Sequence, residues 1–440
     1  MPTEVSVLDK DGVVTYYSTY AAAREDIINS EIEHPLVQIW ADIDEQIILL
    51  DEADIWIAPG VTISNSSGDT ITDNNVAVKC NISGYGNLTQ TSTGFYAVCN
   101  FTNSNSKVSV KCDIIENESA GQACVSSSAK KFHLECNLVY GKSHGGVYLN
   151  NNNSDDLNIN AEKIVTGEIT ELSLGTTAII SRGNGFMHIN EILCRNLGHC
   201  LSHRAGEIIA NIFKLITVTR RTGDSASTAQ ISQGSQSQKL ILYFDEINAL
   251  SEGENISSND GIQVTQGIGI FIGRKVTSKE NYAVQFNGFN LNGYIKCNEI
   301  ESDLFYALGM NNFTTKVEFN INNIQGNNDG VVFAYGSANF ILKNSKIKNL
   351  NSNLPSRVIS LYKYNNTFPN STFNNIKLIT GNTNTTEIIL SAEFPFPNDP
   401  FISDITNFGL FVNEGINSNY INLLVGIDNN FLYIDSIDLN

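Results

Sequence analysis

The chain has 440 residues, with 27 Lys and Arg against 46 Asp and Glu, a formal net charge of −19. Such acidity excludes a phosphate-tracking role on nucleic acid or attraction to an anionic membrane surface, and 41% apolar residues exclude a disordered chain. Only 17% of residues are charged; polarity comes instead from 57 asparagines with many serines and threonines, residues that favour turns over helix interiors.

Residues Met1 to Tyr20 contain no basic segment followed by an apolar stretch, so no signal peptide is expected. No run of 18 apolar residues occurs, so no membrane span is expected either. A helix is expected over Tyr17 to Ser30, where Ala21, Ala22, Ala23 and Arg24 are strong helix formers and Ser18 can serve as the N-cap. Strands are then expected at Leu36–Trp40, Gln46–Leu50 and Ile55–Ile57, followed by Pro59-Gly60-Val61-Thr-Ile63.

From there a short pattern recurs: apolar, any, apolar, any, any, apolar. Its copies include Val110-Lys-Cys112-Asp-Ile-Ile115, Leu134 to Val139, Ile159 to Ile164, Met187 to Ile192 and Ala210 to Leu215. Later copies are Leu242 to Ile247, Phe271 to Val276, Ile295 to Ile300, Phe319 to Ile324 and Leu342 to Ile347, with a weaker one ending Ile376-Lys-Leu-Ile379 and an early one at Val78-Lys-Cys80. The mean step is about 27 residues, the size of one coil of a parallel β-solenoid, and each copy alternates as a strand does. A second column fixes the register independently. The residue before the final apolar position reads Lys163, Glu191, Lys214, Glu246, Lys275, Glu299, an alternation that relieves like-charge repulsion between stacked neighbours. Each copy is followed by a Gly/Asn turn and a second short strand, such as Ala123–Val125, Gly146–Leu149, His199–Leu201, Tyr282–Val284 or Gly330–Phe333. Thr222 to Gln238, rich in Ser, Gln and Gly, is expected to bulge out as a loop. The fold expected is an all-β, right-handed parallel β-helix of about 13 or 14 coils. It divides into a cap at 1–35 that hides the first rung, the β-helix at 36–394, and closing coils or a small cap at 395–440, where Pro395, Pro397 and Pro400 punctuate the chain.

The stretch from Tyr17 to Ile63, a capping helix, a strand and then Ile55-Trp-Ile-Ala-Pro-Gly-Val-Thr-Ile63, resembles the opening of the pectate-lyase-like right-handed β-helix superfamily. The repeat carries that likeness over about residues 36 to 394, although no catalytic motif of a named family matches. Asn/Ser/Thr-rich members without an export signal resemble phage tail-spikes and tail fibres. The resemblance implies a virion structural protein, assembled in the host cytoplasm as a homotrimer with other virion proteins and binding host surface polysaccharide. The alternative it leaves open is a polysaccharide lyase or glycoside hydrolase on the same fold. A bacterial surface solenoid is a third reading, which the missing export and anchoring signals disfavour.

Candidate chemistry is sparse, and no cofactor is expected. Arg220, Arg221 and Asp224, with His203 and Arg204 one rung earlier, form a basic patch in an acidic protein and are the weak catalytic candidate, for a lyase needs a base and a neutralising cation. Carboxylate spacing cannot test for a hydrolase here, because rungs one and two apart already give separations of about 5 and 10 Å. Cys194, His199, Cys200 and His203 have metal-ligand chemistry, but their spacing fits no common zinc module and no metal site is expected; packed cysteines with surface histidines fit better. Cys80, Cys112, Cys136 and Cys297 fall in one inward column and Cys124 and Cys200 at the position of Val147, reading as small core residues. Cys112 and Cys136, on adjacent rungs, come within disulfide range, but a disulfide is not expected of a protein made in a reducing cytosol. Tyr148, Tyr282, Tyr294, Tyr306 and Tyr335 recur near strand positions, suited to packing or to stacking on sugar rings.

Overall fold

A computed structural model shows an all-β chain, 3% helical, built as a parallel β-solenoid of about 11 turns. It describes residues 4–349, apart from 93, 120, 143–144, 168–176, 196–197, 220–225, 233–237, 253–258, 289–290, 312–315 and 328–330. Beyond 349 it describes the strands Arg357–Tyr362, Asn370–Ile379, Glu387–Phe394, Val425–Asp428 and Phe431–Asp435. Contacts cluster into two compact units, residues 1–213 and 214–440.

Each turn carries a long strand and a short one. In residues 1–213 the long strands Lys107–Asn117, Lys131–Gly141, Asp156–Thr166 and Gly185–Arg195 pair parallel. In residues 214–440 the series is Lys239–Ser251, Gly267–Ser278, Leu291–Ser302 and Lys316–Gly326. The recurring sequence pattern marks where a long strand bends. Side chains alternate inward and outward up to Cys112; Asp113 and Ile114 then both face out, and Ile115 returns to the core. Two successive outward residues break the period of two that a straight strand keeps. The strand therefore turns a corner around its own core.

The aliphatic column behind the corner stacks as the repeat requires. Ile115, Val139, Ile164 and Ile192 align rung on rung, as do Ile247, Val276, Ile300, Ile324 and Ile347, each fully buried. Burying each such side chain is worth about 1.5–3 kcal/mol. The charge column before it forms ion pairs between rungs: Lys163–Glu191 at 2.7 Å, Lys214–Glu246 at 3.9 Å and Lys275–Glu299 at 3.4 Å. At the corner itself, Asn137 donates to Asp113 at 2.6 Å, Asn190 to Glu162 at 2.5 Å and Asn322 to Asn298 at 3.2 Å, while Arg274 clamps Asp245 at 2.8 and 3.0 Å. Inside, Asn65, Gln90 and Asn117 stack in register, buried, and each accepts a backbone N–H two residues ahead, holding its turn.

Several expectations shift. Cys80 aligns with Val108, not with Cys112, an even slip of four residues that keeps it inward. The weak copy sets Leu378, rather than Ile379, on Ile347. The supposed loop Thr222–Gln238 contains a strand, Ala226–Ile231, whose Ser227 and Thr228 are buried; its small polar residues hid an inward face. The helix runs Tyr20–Asn29, and its N-cap is Thr19, whose hydroxyl accepts from the Ala22 N–H at 3.1 Å, not Ser18. The Glu45 carboxylate takes the next two free donors, Tyr20 N–H at 2.6 Å and Ala21 N–H at 3.1 Å.

Both ends depart from parallel pairing, which accounts for fewer turns than expected. Val5–Leu8 pairs antiparallel with the first rung strand, Leu36–Ile39, and with Val14–Tyr17. The turn of that hairpin is Asp9-Lys-Asp-Gly12, where Asp9 accepts from the Asp11 and Val13 N–H groups and Gly12 takes φ +83°. Glu387–Phe394 returns antiparallel on Asn370–Ile379, and Phe431–Asp435 on Arg357–Tyr362.

Rung stacking also couples side-chain volume between neighbours. Phe244 sits in register with Gly273, and a Cβ at Gly273 would lie 2.4 Å from the Phe244 ring. Gly273→Ala is expected to lower stability by about 1–3 kcal/mol, read from urea-induced unfolding, and Phe244→Leu in the same chain to recover part of it. Equal stability of Gly273→Ala and the native chain would contradict the packing.

Candidate ligand-binding face

The short strands of residues 214–440 form a second parallel sheet: Ala226–Ile231, Asn259–Val264, Val284–Asn287, Leu308–Asn311 and Val332–Tyr335. Ile262, Val284, Leu308 and Val332 form one inward column and Val264, Phe286, Met310 and Ala334 the next, all fully buried. Between them runs an outward column reading Gln230, Gln263, Gln285, Gly309, Phe333. Its three amides form a chain: Gln230 Nε2 donates to Gln263 Oε1 at 2.7 Å, and Gln263 Nε2 to Gln285 Oε1 at 3.0 Å.

Asp260 anchors this row. Gln263 Nε2 donates to one carboxyl oxygen at 2.9 Å and Asn281 Nδ2 to the other at 2.6 Å. The residue is 1% exposed, and burial pushes its carboxyl well above the usual aspartate range, outweighing the bonds from Gln263 and the Tyr282 backbone.

At Gly309 the amide row gives way to aromatic rings. A Cβ there would lie 2.3 Å from the ring of Tyr282, so only glycine lets that ring settle on the sheet. Tyr282 meets Phe305 edge-on at 4.8 Å and stacks on Tyr306 at 6.0 Å; Tyr306 contacts Phe333 at 4.9 Å, and Phe333 stacks on Tyr335 at 6.4 Å. Phe305, Tyr306, Phe333 and Tyr335 are partly exposed. A platform of five rings beside hydrogen-bonding amides can hold a ligand with an apolar face and polar edges, fixing orientation through a few polar groups.

Of the five tyrosines noted in the sequence, Tyr282, Tyr306 and Tyr335 meet here. Tyr294 stands on a long strand instead and Tyr148 belongs to residues 1–213. The amides were missed, although each lies in the same apolar-Gln-apolar triplet on three successive rungs: Ala229-Gln-Ile231, Ile262-Gln-Val264 and Val284-Gln-Phe286. Phe305, Phe333 and Asp260 carried no comparable signal, since their proximity depends on the turns.

Arg220, Arg221 and Asp224 lie outside the described residues. His203 is not at the surface: it is fully buried, with Ser181 Oγ 3.0 Å from Nδ1 and the Gly206 carbonyl 3.0 Å from Nε2. Cys194 and Cys200 are core residues, and among the described residues no group of three His, Cys, Asp or Glu could hold a metal ion. All eight cysteines are buried and free, Cys112 and Cys136 included, although those two align in register; burial pushes the Cys136 thiol up to about 12 and that of Cys297 to about 11. Cys124 and Cys200 sit one residue before the Val147 column, because Val125 and Leu201 occupy it. Among the described residues no helix is long and apolar enough to cross a membrane. Comparisons with protein-family models, curated proteins and solved structures find no match to this chain.

The folded state holds the Asp260 proton more tightly than the unfolded chain does. Its contribution therefore favours folding fully below the unfolded aspartate pKa and is lost as pH rises through the folded value. Carboxyl-carbon NMR is expected to show Asp260 titrating well above 3.8; a midpoint at or below that value would contradict the burial described.

Proposed function

We propose that this chain is a virion component of the phage tail-spike or tail-fibre kind, assembled as a homotrimer, that holds host surface glycan on the outward face of its short-strand sheet. The observation that carries the reading is the row Gln230–Gln263–Gln285 running into the rings of Tyr282, Tyr306, Phe333 and Tyr335. A pyranose presents C–H groups on its faces and hydroxyls at its rim. The rings suit the first and the amides the second, with no net charge required. The solenoid supports the reading by holding Gln230, Gln263, Gln285, Phe333 and Tyr335 on paired strands, with Tyr282 and Tyr306 in the turns that lead into them. So does a polarity carried more by the chain's 57 asparagines than by charged residues, suited to neutral hydroxyl-rich ligands.

Titration of the full chain with a panel of bacterial capsular and O-antigen oligosaccharides tests this. At least one is expected to bind, and Tyr306→Ala and Phe333→Ala are each expected to weaken it about tenfold, or 1.4 kcal/mol. Native affinity in both variants, or no saccharide bound, would contradict the glycan face. Light scattering is expected to give a mass near three times 48.2 kDa; a monomer would contradict the trimer.

A further inference from the structure

In residues 1–213 the short strands Ile179–Arg182 and Leu201–Ala205 pair parallel with one irregularity. Ser181 faces His203 and Arg182 faces Ala205, so Arg204 is an extra residue without a partner on the preceding rung, a β-bulge. Bulges re-aim side chains, and this one is held from inside. The buried His203 bonds the Ser181 hydroxyl through one ring nitrogen and the Gly206 carbonyl through the other. With His203 turned inward, Arg204 lies along the outer face, its Nε donating to Ser202 Oγ at 3.3 Å, and Ser202 is fully covered.

Arg182, on the adjacent rung opposite Ala205, is the described charge that acts on Arg204, and the Tyr148 phenol acts on it in the opposite sense. Burial and Arg182 both pull the Arg204 guanidinium below its usual pKa, while burial pushes the Tyr148 hydroxyl up to about 12, keeping it a donor at neutral pH. Among the described residues neither arginine has a carboxylate within ion-pairing distance, and neither makes an ion pair beyond those described. With no carboxylate beside them among the described residues, the half-buried Arg204 and its like-charged neighbour repel, and an anion joining the two guanidiniums would offset that repulsion.

We infer that Arg182 and the bulged Arg204, with Ser202 and Tyr148 beside them, form a binding site for a tetrahedral oxyanion, a phosphate or sulfate group either free or esterified to a larger molecule. Two forked donors match the oxygens of such a group, and two positive charges match a dianion. The site is independent of the proposed glycan face and stands if that reading fails.

The test uses the full chain, with inorganic phosphate, inorganic sulfate, glucose 6-phosphate and glucose as probes, by calorimetry and by thermal melting in chloride at constant ionic strength. Phosphate and sulfate are expected to bind saturably and raise the melting temperature, and glucose to do neither. Glucose 6-phosphate binding tighter than phosphate assigns the site to an ester; equal affinity assigns it to the free group. Arg182→Gln and Arg204→Gln are each expected to weaken phosphate at least tenfold, and Arg182→Gln to melt no lower than the native chain without anion, since it removes a repulsion. Should Arg204→Gln fail to fold, Arg182→Gln decides alone. Absence of saturable anion binding, or native affinity in Arg182→Gln, would overturn the inference.

Discussion

Parallel strands stacked in register place every residue about 4.8 Å from its counterpart on the next rung, and the rest of this structure answers to that proximity. A charge cannot repeat without cost, so Lys163 is followed by Glu191, and Glu246 by Lys275 and then Glu299. An amide can repeat, because it both donates and accepts; hence the buried Asn65, Gln90 and Asn117 and the outer Gln230, Gln263 and Gln285. A large ring can occupy a column only where its neighbour yields, as Gly273 does to Phe244 and Gly309 to Tyr282.

The two candidate sites arise where this repetition is broken. On the outer face of the short-strand sheet in residues 214–440, the glutamine column stops at Gly309, and the vacated surface takes rings supplied by the preceding turns. In residues 1–213 the break is a single extra residue. Arg204 leaves the ladder while His203 keeps its inward place, so a fixed core residue determines where a surface cation points. Regular rungs supply rigidity in both units, and irregular ones supply chemistry.

What was legible in the sequence follows from the same physics. The long strands were readable because their corner leaves a fixed signature, two outward residues between inward ones, and because Lys/Glu alternation reports stacking directly. The strand Ala226–Ile231 was not, since Ser227 and Thr228 look like loop residues until their burial is seen. The terminal hairpin was missed for a different reason. Val5-Ser-Val-Leu8 and Val14-Thr-Tyr-Tyr17 flank Asp11-Gly12, a pattern that announces a turn but lies outside the repeat. Of the binding face, the tyrosines were visible singly but not as a group, because the register of Phe333 over Gly309 and the reach of Tyr282 across a rung depend on turn lengths that vary from coil to coil. Of the Arg182–Arg204 pair, Arg204 was legible as part of a basic patch and Arg182 was not. Its bulge is a difference of one residue between neighbouring rungs, which periodicity smooths away.

Rung register is the claim on which all of this depends, and methyl-to-methyl NOE spectroscopy on Ile-, Leu- and Val-labelled protein tests it most directly. The account predicts contacts between consecutive members of the series Ile247, Val276, Ile300 and Ile324, and of Ile115, Val139, Ile164 and Ile192, with none that skip a rung. Contacts displaced by two residues along the strands, or none between consecutive members, would contradict the stacking from which both sites are built.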